Sequence, residues 1–304
     1  MRSLFRRPPP RLPCGSPSVP DGLRVYAVGD VHGRADLLAE MSALIGEDAA
    51  RRDRDAGAAD NRVVLLGDLI DRGPGAAGVI EWLQSRPLGD GFTTHVLMGN
   101  HERLMLDFLD DPMIGRAWLA LGGLQTLDSY GVAPPIGAMT FERLSAVRDD
   151  LAARLPDRHR TYLAALPLTL VIGDYLFVHA GIRPGVPLPR QEPEDLLWIR
   201  EEFLDAPAPC DKVVVHGHQV TASPEMLSHR IGLDTGAYRS GILSCVVLEG
   251  RTRHLLQTPP DSQKKRSPIS MTSPGITSAS CRTESSTGPK DDSRRILMSP
   301  LSAR

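Results

Sequence analysis

Cysteine is scarce in this chain. Cys14, Cys210, Cys245 and Cys281 form no CxxC pair and show no framework spacing. That pattern excludes a disulfide scaffold and thiolate-held zinc or iron–sulfur chemistry. Aromatic residues are only 5% of the 304, and the formal net charge is -2. With no basic excess, nothing in the charge balance argues for a nucleic-acid partner. No apolar run approaches the roughly 20 residues a membrane helix needs, so no membrane association is expected. The basic, proline-broken start MRSLFRRPPPRLPCGSPSVP lacks the apolar core of a signal peptide. A cytoplasmic protein is the expectation.

What the chain does contain is a series of short polar segments, each closing an apolar run. They are GDVHG at 29–33, GDLIDRG at 67–73, GNHE at 99–102, VHAG at 178–181 and VHGH at 215–218. The runs before them, such as VYAV, VVLL and HVLM, read as buried strands, so each polar segment is delivered to a strand's carboxyl end. Asp30, His32, Asp68, Asn100, His179 and His218 should therefore converge on one sheet edge. Carboxylate, imidazole and amide oxygen together suit two hard or borderline divalent cations that share one carboxylate. One Asp-Val-His after a strand is ordinary turn chemistry, but five such segments in order are not an accident of turns.

As a set, these segments resemble the signature blocks of the metallophosphoesterase superfamily, and in particular the bacterial phosphoprotein phosphatase (PPP) family of serine/threonine phosphatases. The likeness runs from about Arg24 to Gly250 and includes DTGAY at 234–238. It implies an α/β (α+β) fold, a calcineurin-like β-sandwich flanked by helices with a dinuclear metal site at the strand ends. It also implies that Asp30, His32 and Asp68 hold one metal, that Asp68, Asn100, His179 and His218 hold the other, and that Asp68 bridges. The reaction implied is direct attack by a metal-bridging hydroxide, without a phosphoenzyme. Two divalent ions are expected, Mn by resemblance, although the donor set also admits Fe, Zn, Ni or Co.

Charge spread over phosphoryl oxygens calls for planar cations aimed at them. Arg72, beside the ligand block, is the first candidate. Arg200 is the second, because LLWIREEF matches a Trp-x-Arg segment whose arginine binds phosphate in the resembled family. Asn100 also faces the substrate. His101 follows Asn100 and should face the same mouth; the resemblance makes it the acid that protonates the leaving oxygen, and Asp71 the carboxylate that holds its imidazole. His216 is read as a core residue or one lying behind the ligands.

Substrate is expected to be a phosphoserine or phosphothreonine protein or peptide, with phosphotyrosine open, because Asp71 completes the GDxxDRG form of the protein phosphatases. The alternative is a symmetrical bis(5'-nucleosyl)-tetraphosphate hydrolase or another small-molecule phosphatase, which DTGAYRSGILSCVVLEG also resembles. GPGAAG at 73–78 has the G-x-G-x-x-G spacing of dinucleotide sites, but Asp68 and Asp71 at that strand end would repel a pyrophosphate.

Three regions are expected: a disordered basic arm over 1–20, a catalytic domain over 21–257, and a disordered Ser/Pro-rich tail over 258–304, whose KKR patch is a candidate contact for a partner. Helical spacing is seen in RADLLAEMSALIGEDAARR, AAGVIEWLQSR, HERLMLDFL and FERLSAVRDDLAARL, the last ending before Pro156. Strand-like segments follow in LTLVIGDYLFVHAG, KVVVHGH, RIGLDTGA and GILSCVVLEG, with turns at Gly173-Asp174 and through 238–241. Residues 103–170 are expected to form a helical cap. This periodicity fits either a sandwich or a simpler three-layer sheet.

Overall fold

The computed structural model describes residues 16–85, 88–207 and 210–260. The basic arm through residue 15 and the tail beyond 260 lie outside the described residues. Packing takes in Ser18 and Val19 on one side and Thr258 on the other, a little beyond the expected limits of 21 and 257. Val19 is buried and donates its N–H to Gly250 O, and the buried Thr258 donates its N–H to Leu243 O. Among the described residues no helix is long and apolar enough to cross a membrane.

Among the described residues, ten strands form two sheets. In chain order they are β1 (Leu23–Val28), β2 (Asp60–Leu65), β3 (Phe92–Val96), β4 (Thr169–Ile172), β5 (Tyr175–Val178), β6 (Val213–His216), β7 (Glu225–Met226), β8 (Arg230–Gly232), β9 (Ser244–Glu249) and β10 (Thr252–Gln257). One sheet has the order β10-β9-β1-β2-β3 and the other β4-β5-β6-β8-β7. β1, β2 and β3 are parallel, as are β5, β6 and β8. Parallel neighbours need crossovers, which in the first sheet are the helices α1 (Ala35–Ala56) and α2 (Ala76–Gln84).

Period-2 alternation decides between a sandwich and a three-layer sheet. Along β1, Val25 and Ala27 join Val64, Phe177, Val213, Val215 and Ile231 in a core between the two sheets. Tyr26 and Val28 point the other way, into a core with Leu37, Leu38, Met41 and Ile45 of α1. The second sheet is covered likewise, Leu176, Val178 and Val214 packing on Leu196, Ile199 and Phe203. The layers are thus helix, sheet, sheet, helix, the sandwich that the resemblance implied. Each buried Leu or Ile of α1 contributes roughly 1.5–3 kcal/mol on the area scale. Arg24, fully buried at the start of β1, ties α1 to the sheet through Asp53 (2.9 Å), Asn61 (3.2 Å) and Glu249 (2.7 Å). Its charge is thereby compensated inside the fold.

From Asn100 on, the chain forms α3 (Asn100–Asp110), α4 (Gly115–Trp118), α5 (Leu124–Ser129), α6 (Phe141–Arg154) and α7 (Asp157–Ala164), with α4 and α5 joined through Leu119–Gly123 by a kink at Gly122, where the backbone is not helical. This is the cap. Two local expectations change. RIGLDTGA is strand only over Arg230–Gly232, and the turn expected at 238–241 is a short helical turn, Ala237–Ser240. Left-handed glycines at both of its ends, Gly236 and Gly241, let the chain enter and leave it.

Candidate dinuclear metal site

Asp30 and His32 follow β1, Asp68 to Arg72 follow β2, Asn100 and His101 open α3 after β3, and His179 and His218 follow β5 and β6. All lie at strand carboxyl ends, and all but Arg72 are buried. Among the described residues, the non-glycine residues in left-handed backbone conformations are His32, Asp68, Asp71, Arg72 and His218 (φ 46–69°), every one of them a residue of this site. Such conformations cost about 1–3 kcal/mol each and persist where packing over-determines them. Gly67 (φ 94°) lets the β2 loop press on the α3 loop: a Cβ there would lie 2.5 Å from Gly99 N. At Gly217 a Cβ would lie 1.9 Å from Asp30 Oδ1.

Asp68 is the centre. Its Oδ2 is 3.5 Å from His32 Nε2 and 3.8 Å from His101 Nε2, and its Oδ1 is 3.4 Å from His179 Nε2. Two sets of donor atoms meet cation-like spacing, within 4.8 Å of one another: His32, Asp68 and His101, and Asp68, His179 and His218. Asp68 belongs to both. Asn100 Oδ1 lies 2.9 Å from His179 Nε2 and 3.0 Å from His218 Nδ1, which brings it to the second set. Asp30 falls in neither set. Its Oδ2 accepts the His218 N–H (3.0 Å), while its buried Oδ1 has no hydrogen-bond partner.

The tautomers test whether these residues fit cations. His32 Nδ1 donates to Ile70 O and His179 Nδ1 to Leu66 O, each at 2.9 Å, so in both rings Nε2 turns a lone pair into the site. At His179 that lone pair faces the oxygens of Asn100 and Asp68, acceptors with no proton between them. Burial keeps the imidazoles neutral, at about 3 for His32 and about 2 for His218, and moves His179 down as well. Burial raises Asp30, with the charges of Asp234 and Asp68 adding to it. Burial works against Asp68 too, but the surrounding histidines outweigh it and hold its carboxyl below the usual range. Converging lone pairs, clustered carboxylates and orphaned buried oxygens fit divalent cations.

His101 differs from the other rings. Its Nδ1 donates to Asp71 Oδ2 at 2.6 Å. Burial opposes its charged form, yet Asp68 and the Asp71 hydrogen bond prevail and its pKa is raised. An imidazole that holds its proton is a poor ligand and a suitable acid. Arg72 reaches between the rings, Nη1 lying 2.9 Å from His32 Nε2 and Nη2 3.1 Å from His101 Nε2. Its guanidinium also lies over the ring of Tyr238 at 5.1 Å. Arg200 is exposed at the edge, where Nη1 donates to Gln219 Oε1 (2.5 Å) and its charge lowers the pKa of nearby His218. It does not pair with Glu201 or Glu202. His216 is buried behind the ligands against Phe203, at a ring separation of 5.1 Å.

Two residues here were not singled out by sequence. Glu102 of GNHE is fully buried and accepts four backbone N–H groups, from Asp68 (2.9 Å), Gly99 (2.8 Å), Leu69 (2.8 Å) and Ile70 (3.2 Å). It clamps the Asp68 loop to the α3 N-terminus, and the signal available was its capping-box position three residues after Gly99. Asp234 of DTGAY is buried with Oδ2 unpartnered. Its position after the apolar run RIGL repeats the pattern of the other site segments.

Residues 23–238 match the family model described as calcineurin-like phosphoesterase. The chain belongs to this family. Among curated relatives it is 28% identical over 163 residues to the "Bis(5'-nucleosyl)-tetraphosphatase, symmetrical" of Aromatoleum aromaticum, covering 54% of this chain and 46% of that protein. It is also 28% identical over 186 residues to the protein of the same name from Acidovorax ebreus, covering 60% and 48%. The chain thus spans about half the length of the curated relatives it matches. A solved structure described as a candidate diadenosine tetraphosphatase superposes over 81% of this chain and 96% of its own, with TM-score 0.50 and 22% identity, a likeness of fold.

Proposed function

We propose that this family member is a metal-dependent phosphoester hydrolase in which water attacks phosphorus directly and His101 protonates the departing oxygen. The observation that carries this reading is Asp68 set between His32 on one side and His179 on the other, with the His101–Asp71 pair at the same mouth. Two divalent cations held by Asp30, His32 and Asp68 and by Asp68, Asn100, His179 and His218 would supply an activated water nucleophile and neutralise phosphate charge. Mn is the proposed metal for assay.

The chain's own groups do the rest. The Arg72 guanidinium, over the Tyr238 ring, faces His32 and His101 with its two Nη groups; turned from them to a bound phosphate it would offer two parallel donors to phosphoryl oxygens, and Arg200 would offer a further cation at the rim. By holding Nδ1–H, Asp71 leaves Nε2 of His101 at the mouth as the atom that would carry a proton to the leaving group once Arg72 turns from it to phosphate. Burial of the pair keeps bulk water from competing for that proton.

For the substrate, the curated relatives support a symmetrical dinucleoside tetraphosphate. A second reading, a serine/threonine phosphoprotein phosphatase with a phosphopeptide at this mouth, is favoured by the Asp71–His101 hydrogen bond, since an alkoxide needs protonation more than a nucleoside diphosphate does.

The test is hydrolysis by metal-stripped protein resupplied with Mn, comparing diadenosine tetraphosphate, phosphoserine and phosphothreonine peptides and p-nitrophenyl phosphate, with Asp68→Asn as control. Faster cleavage of the dinucleotide, lost in Asp68→Asn, is the expected result. Preference for phosphopeptides would replace the first substrate reading by the second. Turnover of none of the three would contradict the hydrolase reading itself.

A further inference from the structure

The cap touches the catalytic pair through two side chains. Asp71 Oδ2 accepts Nδ1–H of His101 (2.6 Å) and also Nε1–H of Trp118 (2.9 Å). Oδ1 accepts the hydroxyl of Thr126 (2.6 Å), and that same hydroxyl oxygen accepts the Asp71 N–H (2.9 Å). His101, Asp71, Trp118 and Thr126 are all buried. An indole can only donate, and the threonine hydroxyl proton is committed to Oδ1, so the carboxylate is held in one orientation with its remaining acceptor directed at His101 Nδ1.

The chain between these two residues is shaped by the same contacts. The kink at Leu119–Gly123 turns two carbonyls to Arg72, whose N–H donates to Gly122 O (3.1 Å) and whose Nε–H donates to Leu121 O (3.3 Å). Gly122 has φ 126°, and a Cβ on it would lie 2.7 Å from Arg72 Cγ. A Cβ on Gly123 would lie 2.6 Å from the Trp118 ring. One kinked turn therefore seats the arginine and the partner of the acid together.

We infer that Trp118 and Thr126 are positioning residues for leaving-group protonation, acting through Asp71 on His101, so that the kinked turn between them makes the cap a working part of the catalytic centre. The inference rests on the reading of His101 as the acid. It assigns no metal or substrate contact to either residue.

The test compares p-nitrophenyl phosphate with phenyl phosphate, whose leaving group is the poorer and so depends more on protonation. Trp118→Phe and Thr126→Val should each lower kcat for phenyl phosphate roughly tenfold more than for the nitrophenyl ester, with metal content unchanged. Thr126→Ser, which keeps the hydroxyl, should restore the wild-type ratio. His101→Asn is measured alongside. If it leaves the ratio of the two esters unchanged, the acid reading fails. If it changes the ratio while Trp118→Phe and Thr126→Val affect both esters equally, the acid reading stands and this inference is overturned. Nitrogen-15 imidazole spectra of the metal-free variants give an answer that needs no turnover. Loss of the Nδ1–H form of His101 in both variants supports the inference, and an unchanged tautomer contradicts it.

Discussion

The strand-end loops bring His32, Asp68, Asp71, Arg72 and His218 to the site in left-handed backbone conformations, whereas the cap reaches the same site with Trp118 and Thr126 on ordinary helical backbone. The loops hold their own geometry under strain, and the cost is offset locally by Glu102, which gathers four backbone N–H groups of two loops onto one carboxylate. The cap needs no such strain at its contact residues. It supplies donors across a long sequence separation to a carboxylate that the loops have already placed. Strained local motifs set the positions of the charged groups, and generic helical residues set their orientation.

The largest effect expected from breaking this division is at Asp68, which both donor sets share. Asp68→Asn should reduce turnover by about 10³-fold or more, since one change takes an oxygen from one set and the shared negative charge from both. A loss under tenfold in steady-state assays would show that the loops do not converge on this residue. Next is Glu102→Gln, which sets an amide NH₂ against backbone donors. The expected cost is about 2–4 kcal/mol in urea unfolding, with a parallel loss of turnover; a stability change below about 1 kcal/mol would remove the clamp from the account.

The cap side of the comparison is sharpened by pH. Tyr162 on α7 is pushed up to about 12, first by burial and then by the charge of Glu102. The unfolded chain ionises its tyrosine near 10, so Tyr162 contributes stability that is fully present below that value and is lost as pH rises through about 12. Tyr162→Phe should flatten the fall in unfolding free energy between those values by on the order of 2 kcal/mol. An unchanged slope would detach Tyr162 from the loop carboxylate. The smallest effect belongs to Arg200, exposed and bonded to Gln219. Arg200→Ala should raise KM a few-fold with kcat nearly unchanged, as befits a rim charge that is screened by solvent; a large fall in kcat would move it into the centre.

The same division explains what could be read from sequence. Each loop segment is contiguous and chemically unusual, so Asp30, His32, Asp68, Asn100, His179 and His218 could be gathered before any coordinates, and all of them lie at strand carboxyl ends. That two sheets face each other was not legible from VYAV or VVLL. With both faces of β1 buried, its alternation between Val25 and Tyr26 appears only as a continuous apolar run. Glu102 read as the second residue of a helix, and its role depends on N–H groups of a loop more than 30 residues away. Trp118 and Thr126 gave no signal at all, because their partner Asp71 lies 47 and 55 residues distant. The substrate reading shifted for a related reason: Asp71 argues through local chemistry, whereas the curated relatives speak through a whole aligned region.

The central claim, that Asp68 joins two cation positions, is tested most directly by counting bound metal. Elemental analysis of Mn-reconstituted protein, after removal of free ion, should give two Mn per chain for the wild type and fewer than one for Asp68→Asn, with the fold retained by circular dichroism. A single ion per chain in the wild type, or an unchanged count in the variant, would contradict it.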